Sequence, residues 1–173
     1  MEPITRRNKI VAALKKNKTP VSASVLAKKL HVSRQIIVGD IALIRATGID
    51  ITATPKGYIL TVEESIDERY IKKIACAHKA EETKKELYAI VDNGGELLDV
   101  IVEHPIYGEL KGQLNISSRY DADLFLEKIS KSQAYLLSAL TQGIHLHTIA
   151  CKDESVFERI SEQLSAERLL YQA

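Results

Sequence analysis

Apolar positions recur at helical spacing in the first third of the chain and at strand spacing in much of the remainder. Pro20 ends the first helix-like segment, and Ser22 and Ser33 are suitable N-caps for the second and third. The third segment carries the apolar residues Ile36, Ile37, Ile41, Leu43 and Ile44. Two β-prone runs then flank a Pro-Lys-Gly turn at residues 55–57, which predicts a hairpin. Three helices followed by a hairpin indicate a winged helix-turn-helix at residues 1–62.

The remaining residues alternate between strand and helix patterns in the order β-α-β-β-α-β, followed by one more amphipathic helix. Asn93-Gly94-Gly95 is a typical helix end, Ser117 or Ser118 can cap the second helix, and Asp153 can cap the last. This succession is typical of the ferredoxin-like fold, with the usual strand order 4-1-3-2. We therefore predict an α+β protein in which residues 66–173 form a ferredoxin-like βαββαβ domain with an extra C-terminal helix.

The distribution of charge changes the picture of the first domain. The whole chain has a formal net charge of +1, but residues 1–60 contain eleven Lys and Arg against three acids, a net +8. Such a basic domain on an acidic body predicts a polyanionic partner, here double-stranded DNA. Ser33, Arg34 and Gln35 would face base edges from the start of the recognition helix, and Lys56 on the wing would meet phosphate or the minor groove.

Other features of the sequence indicate where in the cell the protein is expected to be located. No apolar run approaches bilayer length, so no membrane span is predicted. The first residues lack the basic-then-apolar pattern of a signal peptide, so we expect a cytoplasmic protein. Cys76 and Cys151 are then expected to be reduced thiols.

The stretch from Gly143 to Cys151 contains a pair of histidines at strand spacing. His145 and His147 are two residues apart, so on a strand both imidazoles point to the same face. In the ferredoxin-like order, His78 and His104 reach the same end of the sheet as this pair. Neutral imidazole is the commonest metal ligand, so the convergence predicts a divalent metal site.

Several readings stay open at this point. A histidine pair of this kind is by itself more often a surface or hydrogen-bonded pair than a ligand pair. Either Glu82 or Glu86 could supply a carboxylate from the following helix, one turn apart on the same side. Cys76 shares the strand face of His78, but a free buried cysteine is more common than a thiolate ligand. A small metal-dependent hydrolase with an accessory basic domain is the competing function.

Two groups of motifs carry a resemblance to a known family. The segment from Ser33 to Ile41, with Thr54 to Tyr58, looks like the biotin-repressor type of winged helix. The remaining motifs resemble the three-histidine domain, namely Ala77-His78, Asn93-Gly94-Gly95, Asp99 to Glu109 and His145 to Ile149. Together, in this order, they resemble the nicotinate-responsive transcriptional repressors of Gram-positive and related bacteria over nearly the whole chain.

The resemblance implies a homodimeric, non-enzymatic repressor of genes for NAD biosynthesis or niacin uptake, with nicotinic acid as co-repressor. It implies that a divalent transition metal, expected to be Ni or Zn, is held by four residues. These are His78, Glu86, His145 and His147, which selects Glu86 over Glu82 by resemblance alone. We place His104 and Tyr107 at the effector pocket, with His104 at its rim as a donor to the carboxylate.

Overall fold

The computed structural model describes residues 2–61, 68–132 and 134–172. The chain divides into two compact units, Met1–Ile66 and Asp67–Ala173. The boundary predicted between residues 62 and 66 lies outside the described residues. None of the helices in the described ranges is long and apolar enough to cross a membrane.

The first unit has the predicted winged-helix elements. Helices α1 (Pro3–Lys16), α2 (Ala23–Leu30) and α3 (Arg34–Ala46) precede strands β1 (Ile51–Thr54) and β2 (Gly57–Leu60), which form an antiparallel hairpin. Ser22 Oγ accepts a hydrogen bond from the Val25 amide at 3.2 Å, and Ser33 Oγ accepts one from Ile36 at 3.3 Å. Both predicted N-caps are therefore confirmed, and they position the two helices of the helix-turn-helix.

Only some of the apolar residues of α3 are buried. Ile37, Ile41 and Ile44 are buried against the other helices, whereas Ile36 and Leu43 are 42% and 54% exposed. The two exposed residues are seven positions apart, so they lie on one side of the helix. Positions 37, 41 and 44 alone complete the contact of α3 with α1 and α2.

The second unit has the predicted succession of elements, β-α-β-β-α-β and a closing helix. Its bounds are listed here in chain order: β3 (Tyr70–Ala77), a 3₁₀ turn (Ala80–Glu82), α4 (Thr83–Asp92), β4 (Glu96–His104), β5 (Gly108–Ile116), α5 (Arg119–Lys131), a second 3₁₀ turn (Leu137–Thr141), β6 (Ile144–Cys151) and α6 (Glu154–Ala166). Ser118, rather than Ser117, caps α5 by accepting a hydrogen bond from Asp121 N at 3.1 Å. Asp153 caps α6 in the same way, with Val156 N as the donor at 3.0 Å.

The strand order differs from the ferredoxin-like order that the sequence predicted. The four strands are arranged β3-β6-β4-β5, which is 1-4-2-3 rather than 4-1-3-2. The last strand does pair antiparallel with the first, as predicted, but it also pairs antiparallel with the second. Both orders give an antiparallel sheet, and they differ in which strand of the β4–β5 hairpin lies inward and in which of β3 and β6 does. Here the more polar β5, with Glu109, Lys111 and Gln113, lies at the edge, where charged side chains are tolerated.

The chain after α6 adds to the outer side of β3, a pairing that the sequence analysis did not predict. Ala77 N donates to Leu169 O and Tyr171 N donates to Ala75 O, both at 3.0 Å. Cys76 and Leu170 form the corresponding β-bridge. With this segment added, β6 lies in the middle of the sheet. At the end that leads into His78, β3 has a hydrogen-bonded neighbour on each side, β6 and the segment around Leu170.

Candidate metal centre and DNA interface

Strand β6 directs two imidazoles into the protein interior. His145 and His147 are each only 3% exposed, while Ile144 and Leu146, which alternate with them along the strand, are exposed on the opposite face. In the ladder, His145 pairs with Cys76 of β3 and His147 pairs with Ile74. The usual alternation is thus inverted, with polar side chains inside and apolar ones outside, which indicates a functional site rather than ordinary core packing.

A single carboxylate from α4 meets the three imidazoles. Glu86, which is 1% exposed, places Oε1 at 2.8 Å from His145 Nε2 and 3.2 Å from His147 Nε2. Its Oε2 lies 2.8 Å from Nε2 of His78, the residue that follows β3. Glu82 instead accepts a hydrogen bond from the Lys79 amide at 3.1 Å. The structure therefore brings the predicted residues His78, Glu86, His145 and His147 together, and Glu82 is engaged elsewhere.

The other nitrogen of each ring is held by a backbone carbonyl. His78 Nδ1 donates to Lys79 O at 2.9 Å, His145 Nδ1 to Gly143 O at 2.8 Å, and His147 Nδ1 to Asp99 O at 2.8 Å. A nitrogen that donates to a carbonyl must carry the proton, so each neutral ring presents a lone pair on Nε2. Hydrogen bonds of this kind orient metal-binding histidines in many proteins.

The resulting donor set fits a divalent cation. The Nε2 lone pairs and the Glu86 oxygens are all acceptors at close range, and such groups repel unless a proton or a cation lies between them. Nε2 of His78 and Nε2 of His147 are buried without a hydrogen-bond partner among the described residues, although Glu86 oxygens are near. Imidazole nitrogen with one carboxylate oxygen is a donor combination that suits divalent transition metals.

For Glu86, His78 and His147 alike, burial shifts the pKa in one direction and the neighbouring charged groups shift it in the other. Burial acts to raise the pKa of Glu86, but His147 and hydrogen bonds from the imidazoles outweigh it, so the pKa lies well below its ordinary value. For His78 and His147, burial acts to lower the pKa, and Glu86 overcomes this and raises it. In the metal-free protein the cluster thus favours an ionised carboxylate beside protonated imidazole.

A cavity of about 180 Å³ borders the histidine cluster. It lies between the sheet, α4, α5 and the second 3₁₀ turn, and its wall is largely apolar, with Leu87, Val100, Phe125 and Leu137. Thr83, at the first position of α4, is 6% exposed, and its hydroxyl has no hydrogen-bond partner within the described part of the chain. A buried hydroxyl at a cavity wall is a ready contact for a polar atom of a small ligand.

The predicted effector residues are not brought to this cavity. His104 Nδ1 accepts hydrogen bonds from the amides of Ile106 and Tyr107, both at 3.2 Å, and its ring lies 4.9 Å from the Tyr107 ring. Neither His104 nor Tyr107 is among the described residues that line the cavity. His78, His145 and His147 therefore converge as predicted. His104 does not join them, since its ring is hydrogen-bonded within its own turn after β4.

Sequence reasoning missed two supports of the site. Gly143 has a φ of +93°, and a Cβ at this position would lie 2.4 Å from the carbonyl oxygen of His78. Only glycine permits both the backbone conformation and the close approach that lets Gly143 O hold His145. A glycine directly before the histidine strand was the available signal, whereas nothing in the sequence pattern marks Thr83.

The predicted DNA-contacting residues occupy the start of α3 and the wing. Arg34 and Gln35 are exposed in the first turn of α3, Ser33 is its N-cap, and Lys56 is exposed in the β1–β2 turn. Exposed Ile36 adds an apolar group to the same turn. An apolar side chain at this position suits the methyl group of thymine.

Comparison with known proteins covers both units. Residues 71–173 match the family described as the 3H domain, and residues 6–59 match a family described as an HTH domain. The chain is 43% identical over 165 residues to the probable transcription repressor NiaR of Thermotoga maritima. The aligned region covers 95% of this chain and 93% of that protein. The chain is 38% identical over 166 residues to the transcription repressor NadR of Bacillus subtilis, with 95% and 92% covered.

Proposed function

Because this chain belongs to the family of transcription repressors that join a helix-turn-helix domain to a 3H domain, we propose that it represses transcription in response to nicotinic acid bound beside a metal. Its relatives are repressors, so the chain is a DNA-binding regulator and not the metal-dependent hydrolase considered above. The observation that carries the sensor proposal is the convergence of three backbone-oriented imidazoles on buried Glu86.

In this proposal His78, Glu86, His145 and His147 hold the divalent metal, with Ni and Zn as the expected ions. The metal, when bound, supplies a Lewis acid that can accept either the carboxylate or the pyridine nitrogen of nicotinate. The chain's own contribution is the orientation of the ligands, since three carbonyl groups fix the rings.

We place the effector in the cavity that borders this cluster. Nicotinate combines a flat ring with one carboxylate, and the cavity combines apolar walls, such as Phe125 and Leu137, with the buried hydroxyl of Thr83. The hydroxyl would donate to the carboxylate, a hydrogen bond that is stronger than one between neutral groups. This position is favoured over His104 because the cavity adjoins the metal ligands and His104 is bound within its own turn.

Repression requires a second subunit if the operator is palindromic. We propose a homodimer in which the open face of the sheet is buried, since Ile71, Ile144 and Leu146 are exposed there on adjacent strands. Dimerisation would place two recognition helices about one helical turn of DNA apart, with Arg34 and Gln35 at base edges. Ser33 would face base edges beside them, Lys56 would meet phosphate or the minor groove, and the regulated genes would be those of NAD biosynthesis or niacin uptake.

The test is a calorimetric titration of nicotinic acid into the metal-loaded protein and the chelator-stripped protein, with nicotinamide as the control. We expect binding that requires metal and that discriminates against the uncharged amide. Nicotinate binding that survives complete removal of metal would contradict the metal-linked sensor, and absence of binding in both forms would remove nicotinate as the effector.

The dimer surface has a separate test in the substitution Leu146→Glu. A charge in this exposed strip should give a monomer in sedimentation or light scattering, while Ile106→Glu in the exposed β4–β5 turn should leave the dimer intact. A dimer that tolerates Leu146→Glu would place the interface elsewhere.

A further inference from the structure

One buried thiol lies within the cluster that the proposed function uses. Cys76 of β3 is fully buried and stands opposite His145 in the strand ladder. Its Sγ, a carboxylate oxygen of Glu86 and a ring nitrogen of His145 all lie within 4.8 Å of one another. Neighbouring residues of a ladder project to the same face, so the sulfur points toward the imidazole cluster.

We propose that Cys76 is a fifth protein ligand, which binds the metal through its sulfur as a thiolate. This inference rests on the proposed metal site and goes beyond the ligand set of three histidines and one glutamate. As the metal–sulfur bond forms, the thiol proton is released to solvent, so charge and atoms balance. Buried Nε2 atoms of His78 and His147, which lack hydrogen-bond partners among the described residues, point independently to a cation at this place.

Charge balance gives the physical reason for a sulfur ligand. Three neutral imidazoles, one carboxylate and a dication leave a net charge of +1 in a site whose groups are almost fully buried. An uncompensated charge is costly in such surroundings. A thiolate at Cys76 makes the effector-free site neutral without any further ion.

A sulfur ligand also makes the site selective. Thiolate favours zinc, cobalt and nickel, whereas harder ions such as magnesium and manganese prefer oxygen. Cys76 would therefore be a specificity-determining residue that discriminates against the abundant hard cations.

The experiment is the absorption spectrum of the full-length protein loaded with Co²⁺ after chelator treatment. Co²⁺ gives visible d–d bands with any protein ligand set and an additional near-ultraviolet charge-transfer band only with thiolate. We expect both features in the unmodified protein and in Cys151→Ser. The Cys151 control is also a buried cysteine, but its thiol donates to Asp153 O at 3.3 Å at the far end of β6. Cys76→Ser should lose the charge-transfer band and keep the d–d bands.

The outcomes separate this inference from the function on which it rests. Visible d–d bands without a charge-transfer band in the unmodified protein would overturn the thiolate ligand and leave the other four ligands intact. Absence of d–d bands would overturn the metal site itself, and the inference with it. Because the unmodified protein carries this test, it holds even if Cys76→Ser does not fold. Calorimetry in buffers of different ionisation enthalpy should also show one proton fewer released by Cys76→Ser or Cys76→Ala.

Discussion

The position of one proton on each imidazole determines what the histidine cluster can bind. Nδ1–H of His78, His145 and His147 donates to a backbone carbonyl, so in each neutral ring Nε2 is left as an acceptor facing Glu86. The carboxylate is consequently both a proposed ligand and the group that decides how protons would compete with the metal. Since the pKa values of His78 and His147 lie above the ordinary 6.5, metal affinity should begin to fall at a pH above 6.5 and decline further with acidification.

Glu86→Gln tests this role in the metal-free protein. Burial, which lowers the pKa of His78 and His147, remains in the variant, while the carboxylate that raises it is lost. Both pKa values should therefore fall, as measured by nuclear magnetic resonance of the histidine rings. Unchanged titration would mean that the carboxylate does not face the imidazoles in solution. Glu82→Gln serves as the matched control at His147, since Glu82 contributes to the raised pKa of His78 and is not among the causes at His147.

Thr83→Val tests the hydroxyl at the cavity wall. Loss of a hydrogen bond to a charged carboxylate should weaken nicotinate binding by about 1.5–3 kcal/mol. Metal affinity and folding stability should not fall, because the hydroxyl has no partner among the described residues to lose. Thr83→Ser should retain affinity in calorimetry, and equal affinities for all three proteins would exclude Thr83 from the effector site.

At the scale of elements, the turn into β6 connects His78 and His145, two of the proposed metal ligands. The backbone of Gly143 approaches the His78 carbonyl so closely that any side chain would collide with it, and its own carbonyl holds His145. The end of β3 and the start of β6 are thereby fixed relative to each other by one residue.

Gly143→Ala should destabilise the protein beyond the cost of its positive φ, which is about 1–2 kcal/mol for an alanine. Gly94→Ala is the matched control, since its φ of +91° is nearly the same and its Cβ would meet only ordinary contacts at 3.6 Å. Chemical unfolding should show the larger loss for Gly143→Ala, accompanied by weaker metal binding. Equal losses in the two variants would mean that the turn relaxes without disturbing His78.

The recognition helix provides a second prediction at this scale. Arg34→Ala should weaken specific operator binding by about 1–3 kcal/mol if the side chain reads guanine. Arg45→Ala removes the same charge from the last turn of α3 and should reduce specific and non-specific binding alike. Gel-shift or anisotropy titrations at two salt concentrations distinguish the two, and equal effects would assign Arg34 to backbone contact only.

The elements were predictable from sequence because local signals determine them, as the caps Ser22, Ser33 and Asp153 illustrate. The strand order was not, since the hairpin β4–β5 can join an antiparallel sheet by either strand and the choice depends on burial of the whole sheet. Within the site, His145 and His147 were visible through period two. Gly143 could have been found as the glycine directly before the histidine strand, whereas Thr83 matters only through what its hydroxyl meets in space, so no sequence spacing marks it.

At the scale of the whole molecule, the proposed effector and the operator occupy different units of one chain. Thermodynamic linkage then requires that each ligand change the affinity of the other by the same factor. If nicotinate tightens operator binding by roughly 5–150-fold, a common range for such coupling, operator DNA must tighten nicotinate binding equally. Calorimetry of nicotinate with and without operator measures this, and unequal factors would show that a third species is being bound or released.

Strand β6 has one further consequence for the molecule. Its residues alternate between the interior face, with His145 and His147, and the open face, with Ile144 and Leu146. In a saturation mutagenesis scan, successive positions should therefore alternate in phenotype, with constitutive expression from lost sensing at one residue and altered assembly at the next. If the proposed effector site and the proposed dimer surface lie on the two faces of this strand, its natural variation is constrained from both sides, and sensing and subunit association evolve together along the same short stretch of backbone.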